Sequence, residues 1–399
     1  MSRFVRCFLG LATAATVTAA AVDDGFVLQM LTDSNAKCLD GSQGGFYYRP
    51  GSASTFGDEF GVNTWIIELE GGGWCSSLSD CAGRSKSAIG SSKSWPKTGI
   101  PGMDGGANGM LSSDCSINRF CNASKVHYNY CDGASFASSA IAPSIAPDNT
   151  TLWFRGAAIF DASVDATLSL GMSGAKKIIL KGCSAGGLAT ILHADYFFNR
   201  IATEVPLART VSMPDAGFFR DHLTFSGQQS WSPLYKWVYA AQNVTQVNSD
   251  CLANYAVSEQ WHCFFAEYTL PFITSPLFMT QDLDDSWQMS NIYDIPCKPY
   301  INCNATEMQG LQDYRTEMLA SLTALTSSPT NGAYLSACYQ HCHQNVNSWD
   351  KELINNVTVA EAFESWWSRS GTVPRMTIDG LFNNTQHTCQ DSPYDCTRK

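Results

Sequence analysis

The stretch Lys176-Lys177-Ile178-Ile179-Leu180-Lys181-Gly182-Cys183-Ser184-Ala185-Gly186-Gly187 decides the reading of this chain. Ile178 to Leu180 is an apolar run of the kind a buried strand makes. Gly182-Cys183-Ser184-Ala185-Gly186 follows, and then Leu188, Ile191, Leu192 and Phe198 recur at helical spacing among alanines. Strand, G-x-S-x-G turn and helix, in that order, are the context of a nucleophile elbow, which holds a serine hydroxyl out on a sharp turn. Such a turn tolerates no bulk beside the serine, and Gly182, Ala185, Gly186 and Gly187 have none. An incidental serine in a glycine-rich turn would also fit the bare motif. The agreement of both flanks with it favours Ser184 as a nucleophile.

Upstream, Phe26 to Met30, Gly44 to Arg49 and Thr64 to Leu69 read as strands. The last runs into Glu70-Gly71-Gly72-Gly73-Trp74-Cys75. An esterase must bind the oxyanion of its tetrahedral intermediate, and backbone N–H groups do this where glycines let the chain approach. Hydrolases of the α/β type carry such a loop after the third strand. An ordinary flexible turn is the competing reading, and the elbow downstream argues against it. Residues 76 to 113 are rich in Gly and Ser and read as a long surface excursion held by disulfides. Val126 to Tyr130 and Leu152 to Gly156 read as strands, Ala162 to Leu170 as a helix, and Thr210 to Met213 as the strand after the elbow helix. Strands alternating with helices predict a mostly parallel α/β sheet. Residues 221 to 270 look helical and could cap the active edge, with Trp231, Trp237 and Trp261 either stacking on substrate or simply packing.

A serine needs a base, and the base needs an orienting acid, in the chain order Ser, Asp or Glu, His. The strand at Thr274 to Thr280 ends in Asp282, Asp284 and Asp285; the strand at Gly332 to Cys338 ends in His341 and His343. Either histidine and any of the three aspartates would complete a triad in that order. Asp285, just before Ser286-Trp287, could instead be a helix N-cap. Val359 to Trp367 reads as a final amphipathic helix.

The chain has 399 residues, and one domain from 22 to 399 is the economical reading. Residues 1–21 carry Arg3, Arg6, a short apolar core and Ala19-Ala20-Ala21, the pattern of a cleaved signal peptide. Six N-x-S/T sequons, at Asn122, Asn149, Asn243, Asn304, Asn356 and Asn383, agree with export and glycosylation. No later stretch is apolar and long enough to span a bilayer, so no stable membrane insertion is expected. Sixteen cysteines fall to fifteen without Cys7. In an oxidising compartment most should pair. Cys183, inside the elbow, is expected to stay free, with bridges Cys75–Cys81, Cys115–Cys121, Cys251–Cys263, Cys297–Cys303, Cys389–Cys396, Cys38–Cys131 and Cys338–Cys342. A cysteine-based metal site is disfavoured because no paired C-x-x-C elements occur. The net charge of −11 and the lack of a basic cluster exclude nucleic acid as a partner. The same charge mildly disfavours polyanionic substrates through unfavourable long-range repulsion.

Leu69-Glu70-Gly71-Gly72-Gly73-Trp74-Cys75, Gly182-Cys183-Ser184-Ala185-Gly186-Gly187, Asp285-Ser286-Trp287-Gln288 and Cys338 to Cys342 together resemble the pectin acetylesterase/Notum family, the plant pectin acetylesterase branch more closely. The resemblance covers nearly all of residues 22–399. It implies an α/β-hydrolase-like fold with disulfide-rich insertions and a secreted serine esterase that uses no metal and no cofactor. It implies Ser184 as nucleophile, Asp285 as acid, His341 as base, and the N–H groups of Gly73, Trp74 and Ala185 as oxyanion donors. Gln281-Asp282-Leu283-Asp284 is more polar than the family's run before its aspartate, and His343 lies close enough to compete as base. The expected function is deacetylation of a cell-wall polysaccharide, pectin above all, by a monomer outside the cell. Removal of a fatty acyl group from a secreted protein is the alternative substrate class. A secreted binding glycoprotein without activity is the alternative of another kind, and the complete Ser/Asp/His set argues against it.

Overall fold

The run Ile178 to Leu180 lies at the centre of a nine-stranded sheet in a computed structural model that describes residues 25–53, 60–103, 108–297, 302–345 and 348–379. The strands are β1 (Val27–Met30), β2 (Gly45–Arg49), β3 (Thr64–Leu69), β4 (Ser124–Tyr128), β5 (Lys177–Cys183), β6 (Arg209–Asp215), β7 (Phe278–Asp282), β8 (Gly332–Ser336) and β9 (Met376–Ile378). Their order across the sheet is β1-β2-β4-β3-β5-β6-β7-β8-β9. The β1/β2 and β2/β4 pairs are antiparallel, and every pair from β4 to β9 is parallel. The α/β-hydrolase-like expectation holds.

Parallel strands buried on both faces read as continuous apolar runs, and β5 illustrates why. Ile178 and Leu180 face one core, with Leu69, Ala189, Phe197 and Ile201. Ile179 faces the other, with Val211, Tyr334, Phe363 and Trp367. The first face is covered by α1 (Gly156–Ser169) and α2 (Ala185–Ile201), the second by α5 (Val359–Ser368). Between α2 and α5 in the chain lie α3 (Ser232–Ala241) and α4 (Ala305–Ser321). α4 starts on a capping box in which Asn304 accepts from the Thr306 and Glu307 N–H groups.

Register fixes what happens at the strand ends. Leu69 pairs with Gly182, Cys183 with Asp215, Asp215 with Thr280, and Asp282 with Ser336. The carboxyl ends of β3, β5, β6, β7 and β8 therefore form one row. The segments leaving that row begin at Glu70, Ser184, Ala216, Leu283 and Ala337. Ligand sites of open α/β sheets lie beyond this edge.

Three local expectations change. Leu152 to Gly156 is not a sheet strand: only Thr151–Leu152 extends, in a separate two-stranded ribbon, and α1 already begins at Gly156. Residues 76–113 are not merely a surface excursion, because they contain the helix Leu78–Arg84 and bury Trp95, Met110 and Leu111. The helix α4 and the edge strand β9 are additional elements. The bridges Cys38–Cys131, Cys75–Cys81, Cys115–Cys121, Cys251–Cys263 and Cys297–Cys303 form as expected. The expected Cys338–Cys342 bridge and free Cys183 are both overturned, because Cys183 pairs with Cys342. Cys338 is itself disulfide-bonded, to a partner outside the described residues. The expected leader at 1–21, Asn383 and the Cys389–Cys396 bridge also lie outside them.

Candidate active site

Ser184 sits between β5 and α2 with φ 60° and ψ −125°. A non-glycine residue there is strained, and strain of this kind persists only where the surroundings enforce it. Here the enforcement is close backbone packing. A Cβ on Gly186 would stand 2.0 Å from the Leu69 carbonyl oxygen, and one on Gly182 would stand 2.5 Å from that of Gly186. The Ser184 N–H donates to the Asp215 carbonyl at 2.9 Å, tying the turn to the next strand.

The glycine run beside it approaches the elbow directly. A Cβ on Gly71 would lie 2.3 Å from the Cys183 carbonyl oxygen and 3.2 Å from Ser184 Cβ. Gly72 and Gly73 have φ of 132° and 67°, which favours glycine. Three carbonyls of this loop are held from outside. Arg84 Nη1 donates to Gly72 O at 2.8 Å, the Tyr130 hydroxyl to Gly73 O at 2.8 Å, and Gln242 Nε2 to Cys75 O at 3.1 Å. The N–H groups of Gly73, Trp74 and Ala185 donate to no acceptor among the described residues. Three unpaired donors beside a serine on a strained turn form a site able to accept an oxyanion. The Ala185 N–H also opens α2, where the helix dipole favours negative charge.

The three aspartates at the end of β7 and just after it separate cleanly. Asp282 forms an ion pair with His343 Nε2 at 2.8 Å, and His343 Nδ1 pairs with Glu352 at 3.0 Å. Asp284 pairs with Arg315 of α4, in full burial. Asp285 takes His341: Nδ1 lies 2.7 Å from Asp285 Oδ2. Asp285 also caps the short helix Ser286–Asn291, its Oδ1 accepting the Gln288 N–H at 2.9 Å. One carboxylate thus fills both the N-cap role and the partner role that the sequence left as alternatives.

His341 Nε2 is buried and has no partner among the described residues. Burial pushes the His341 imidazolium toward losing its proton, but the Asp285 carboxylate outweighs it, and the group titrates above its ordinary 6.5. His343 cannot compete for Ser184, since its two ring nitrogens are committed to carboxylates and its side chain is fully buried. Burial opposes its charge too, but Asp282 and Glu352 hold it protonated, well above the ordinary value. The His343 and Gln344 N–H groups donate to Asp215 Oδ2 at 2.7 and 2.8 Å, anchoring the histidine loop to β6.

The Cys183–Cys342 disulfide, Cα to Cα 5.8 Å, links the residue before Ser184 to the residue after His341. Cys183 ends β5 in regular extended chain, and the left-handed turn falls on Ser184, so the bridge does not oppose the elbow. Both cysteines being paired, the nearby Cys183, His341 and Cys342 do not make a metal site.

An aromatic cluster borders these residues. Around Trp74, ring centroids lie at 4.9 Å for Phe219 and Tyr235, 5.9 Å for Trp287 and 6.0 Å for Trp231. Trp287 and Phe219 continue to the His341 ring at 6.4 and 6.3 Å. Of the three tryptophans singled out from sequence, Trp231 joins this cluster, whereas Trp261 stacks on His262 at 3.9 Å and Trp237 packs against the core. Of the sequons, Asn149, Asn243, Asn304 and Asn356 are exposed and Asn122 is half-buried.

Comparison with known proteins places this geometry. A family model described as pectinacetylesterase matches residues 18–390. Pectin acetylesterase 5 of Arabidopsis thaliana is 31% identical over 382 residues, covering 91% of this chain and 81% of that protein. The human palmitoleoyl-protein carboxylesterase NOTUM is 26% identical over 367 residues, covering 88% of this chain and 67% of that protein. A solved structure of the Wnt deacylase Notum from Drosophila superposes with a TM-score of 0.78 at 21% identity, over 92% of this chain and 99% of that one, a likeness of fold. The chain belongs to the pectinacetylesterase family and is, with it, a carboxylic ester hydrolase.

Proposed function

We propose that this protein is a secreted serine esterase that removes acetyl groups from a cell-wall polysaccharide, with pectin as the substrate class. The observation that carries the catalytic reading is the Asp285–His341 pair at 2.7 Å, whose free Nε2 belongs to a loop cross-linked to the elbow of Ser184. His341 Nε2 takes the Ser184 proton as Oγ attacks the ester carbonyl. Asp285 keeps His341 in the Nδ1–H tautomer and stabilises the imidazolium. The N–H groups of Gly73, Trp74 and Ala185 receive the developing oxyanion. His341 then gives its proton to the leaving sugar oxygen as the C–O bond breaks, and water, deprotonated by His341, attacks the acetyl-enzyme so that acetate and free Ser184 are released. No metal or cofactor has a part in this sequence.

One observation supports a short acyl group on a glycan. The matched plant relatives are named pectin acetylesterases and are more similar to this chain than the NOTUM carboxylesterases are. Export is supported by the leader pattern, the sequons and the disulfides. Among the described residues no helix is long and apolar enough to cross a membrane. We read residues 22–399 as one domain, a monomer, glycosylated at exposed sequons.

The test is hydrolysis of p-nitrophenyl esters from acetate to long acyl chains, with acetate release from acetylated pectin and xylan in parallel. A preference for acetate with release from pectin is expected. A preference for long chains without acetate release would move the assignment to fatty-acyl removal from a protein.

A further inference from the structure

Ser135 lies in Asp132-Gly133-Ala134-Ser135-Phe136, a stretch to which neither the elbow nor the glycine run draws attention. It is fully buried and has φ 52°, followed by Phe136 at 61°. Two consecutive non-glycine residues in the left-handed region are uncommon. The Asp132 carboxylate holds the turn, accepting from the Phe136 N–H at 3.1 Å and the Ser138 hydroxyl at 2.7 Å.

Every polar group of Ser135 has a partner, and its hydroxyl bridges two residues of the oxyanion site. Trp74 Nε1–H donates to Ser135 Oγ at 2.8 Å, and Ser135 Oγ–H donates onward to the Ala185 carbonyl at 2.8 Å. The Ser135 N–H donates at 3.0 Å to the Tyr130 hydroxyl, which itself donates to the Gly73 carbonyl. The Ser135 carbonyl accepts from His193 Nε2 of α2 at 3.0 Å. Burial pushes His193 down to about 4, so the ring is neutral and its one N–H is the Nε2 donor.

We propose that Ser135 is the positioning residue of the oxyanion site, its hydroxyl bolting the Gly71–Trp74 loop to the first turn of α2. This rests on the reading of Gly73, Trp74 and Ala185 as oxyanion donors. Those donors come from two separate segments, and an oxyanion is held well only if their spacing is fixed. Glycine Cβ positions show that the loop and the elbow already touch at Gly71. Ser135 supplies a second, polar attachment, through the Trp74 indole N–H and the Ala185 carbonyl. The residue touches no substrate; it acts through Trp74 and Ala185.

The test uses the full chain with p-nitrophenyl acetate as probe and compares Ser135→Gly, Trp74→Phe, the double variant and Ser184→Ala. Glycine accepts φ 52° without strain, so Ser135→Gly removes the hydroxyl and leaves the backbone its preferred conformation. Expected is a fall in kcat of about 10- to 10²-fold with KM within about twofold, since misplacing a catalytic group by an ångström costs about that much. Trp74→Phe removes the other end of the same hydrogen bond, and the double variant is expected to lose no more than the worse single variant. Wild-type kcat in Ser135→Gly, beside an inactive Ser184→Ala, would overturn the role of Ser135 and leave the triad standing. Additive losses in the double variant, or a kcat loss matched by a fall in Tm, would assign Ser135 to the fold alone and overturn the proposal. Activity retained in Ser184→Ala would remove the site reading itself and the proposal with it.

Discussion

Cys183 and Cys342 are bonded across 159 residues of chain, and each is the sequence neighbour of a triad candidate, Ser184 on one side and His341 on the other. Asp215 ties the same two segments without a covalent bond: its carbonyl accepts the Ser184 N–H, and its carboxylate accepts the His343 and Gln344 N–H groups. The elbow and the histidine loop are thus held as one unit. The paired substitution Cys183→Ala/Cys342→Ala is expected to lower kcat more than it raises KM, because His341 loses its fixed position. It should also cost about 2–4 kcal/mol of stability. Steady-state kinetics beside a denaturant titration checks both. An unchanged kcat would detach the bridge from catalysis.

Three aspartates within four residues make three different predictions. Asp285→Asn leaves His341 without its carboxylate and is expected to cost about 10⁴ in kcat, with little change in fold. Asp284→Asn removes the charge opposing the buried Arg315, so its cost falls on stability, about 3–5 kcal/mol. Asp282→Asn releases His343 and, with it, the loop that carries His341. Kinetics and thermal unfolding of the three variants separate these effects. A kcat loss at Asp284 as large as that at Asp285 would contradict the assignment.

The pH dependence follows from the two histidines. His341 must be neutral to accept a proton, and it titrates above 6.5, so the acid limb of kcat/KM should lie above 6.5. In Asp285→Asn, burial acts with less opposition and the limb moves down. For stability the sign is set by proton uptake on folding. Both His341 and His343 are raised in the folded state, so their contribution is fully present below 6.5 and is lost as pH rises through their folded values. The denaturant midpoint should therefore decline from about pH 6.5 upward through these groups. A midpoint rising over that interval would contradict this account.

Gly71→Ala tests the contact between the glycine loop and the elbow. Its Cβ would meet the Cys183 carbonyl oxygen at 2.3 Å, a backbone atom that cannot swing aside. The loop must move, and the Gly73 and Trp74 N–H groups move with it. A kcat loss of about 10²–10³ is expected, the size of a lost oxyanion donor. Kinetics on p-nitrophenyl acetate measures it.

Much of this site is legible from residues alone, and the reasons are local. The elbow can be read because strand, glycines and helix are contiguous from Ile178 to Phe198. The two late strands can be read because β7 and β8 are buried runs, although the sequence puts their ends at Thr280 and Cys338 and the structure puts them at Asp282 and Ser336. What cannot be read depends on distant partners. The choice among Asp282, Asp284 and Asp285 needs His343, Arg315 and His341 in space. The Cys183–Cys342 pairing spans 159 residues, and short spacing favours the wrong Cys338–Cys342 alternative. Ser135 carries no motif, and its left-handed φ is imposed by Asp132 and by the segments packed around it. The helix α4 presents only Leu311, Tyr314, Arg315 and Met318 as buried residues, too narrow a face for a clear apolar stripe.

The most direct measurement is mass spectrometry of the protein after reaction with a fluorophosphonate, followed by the rate of p-nitrophenyl acetate hydrolysis in Ser184→Ala. The account predicts one adduct, on the peptide that carries Ser184, and loss of hydrolysis in the variant. An adduct on another residue, or hydrolysis at the wild-type rate in Ser184→Ala, would contradict it.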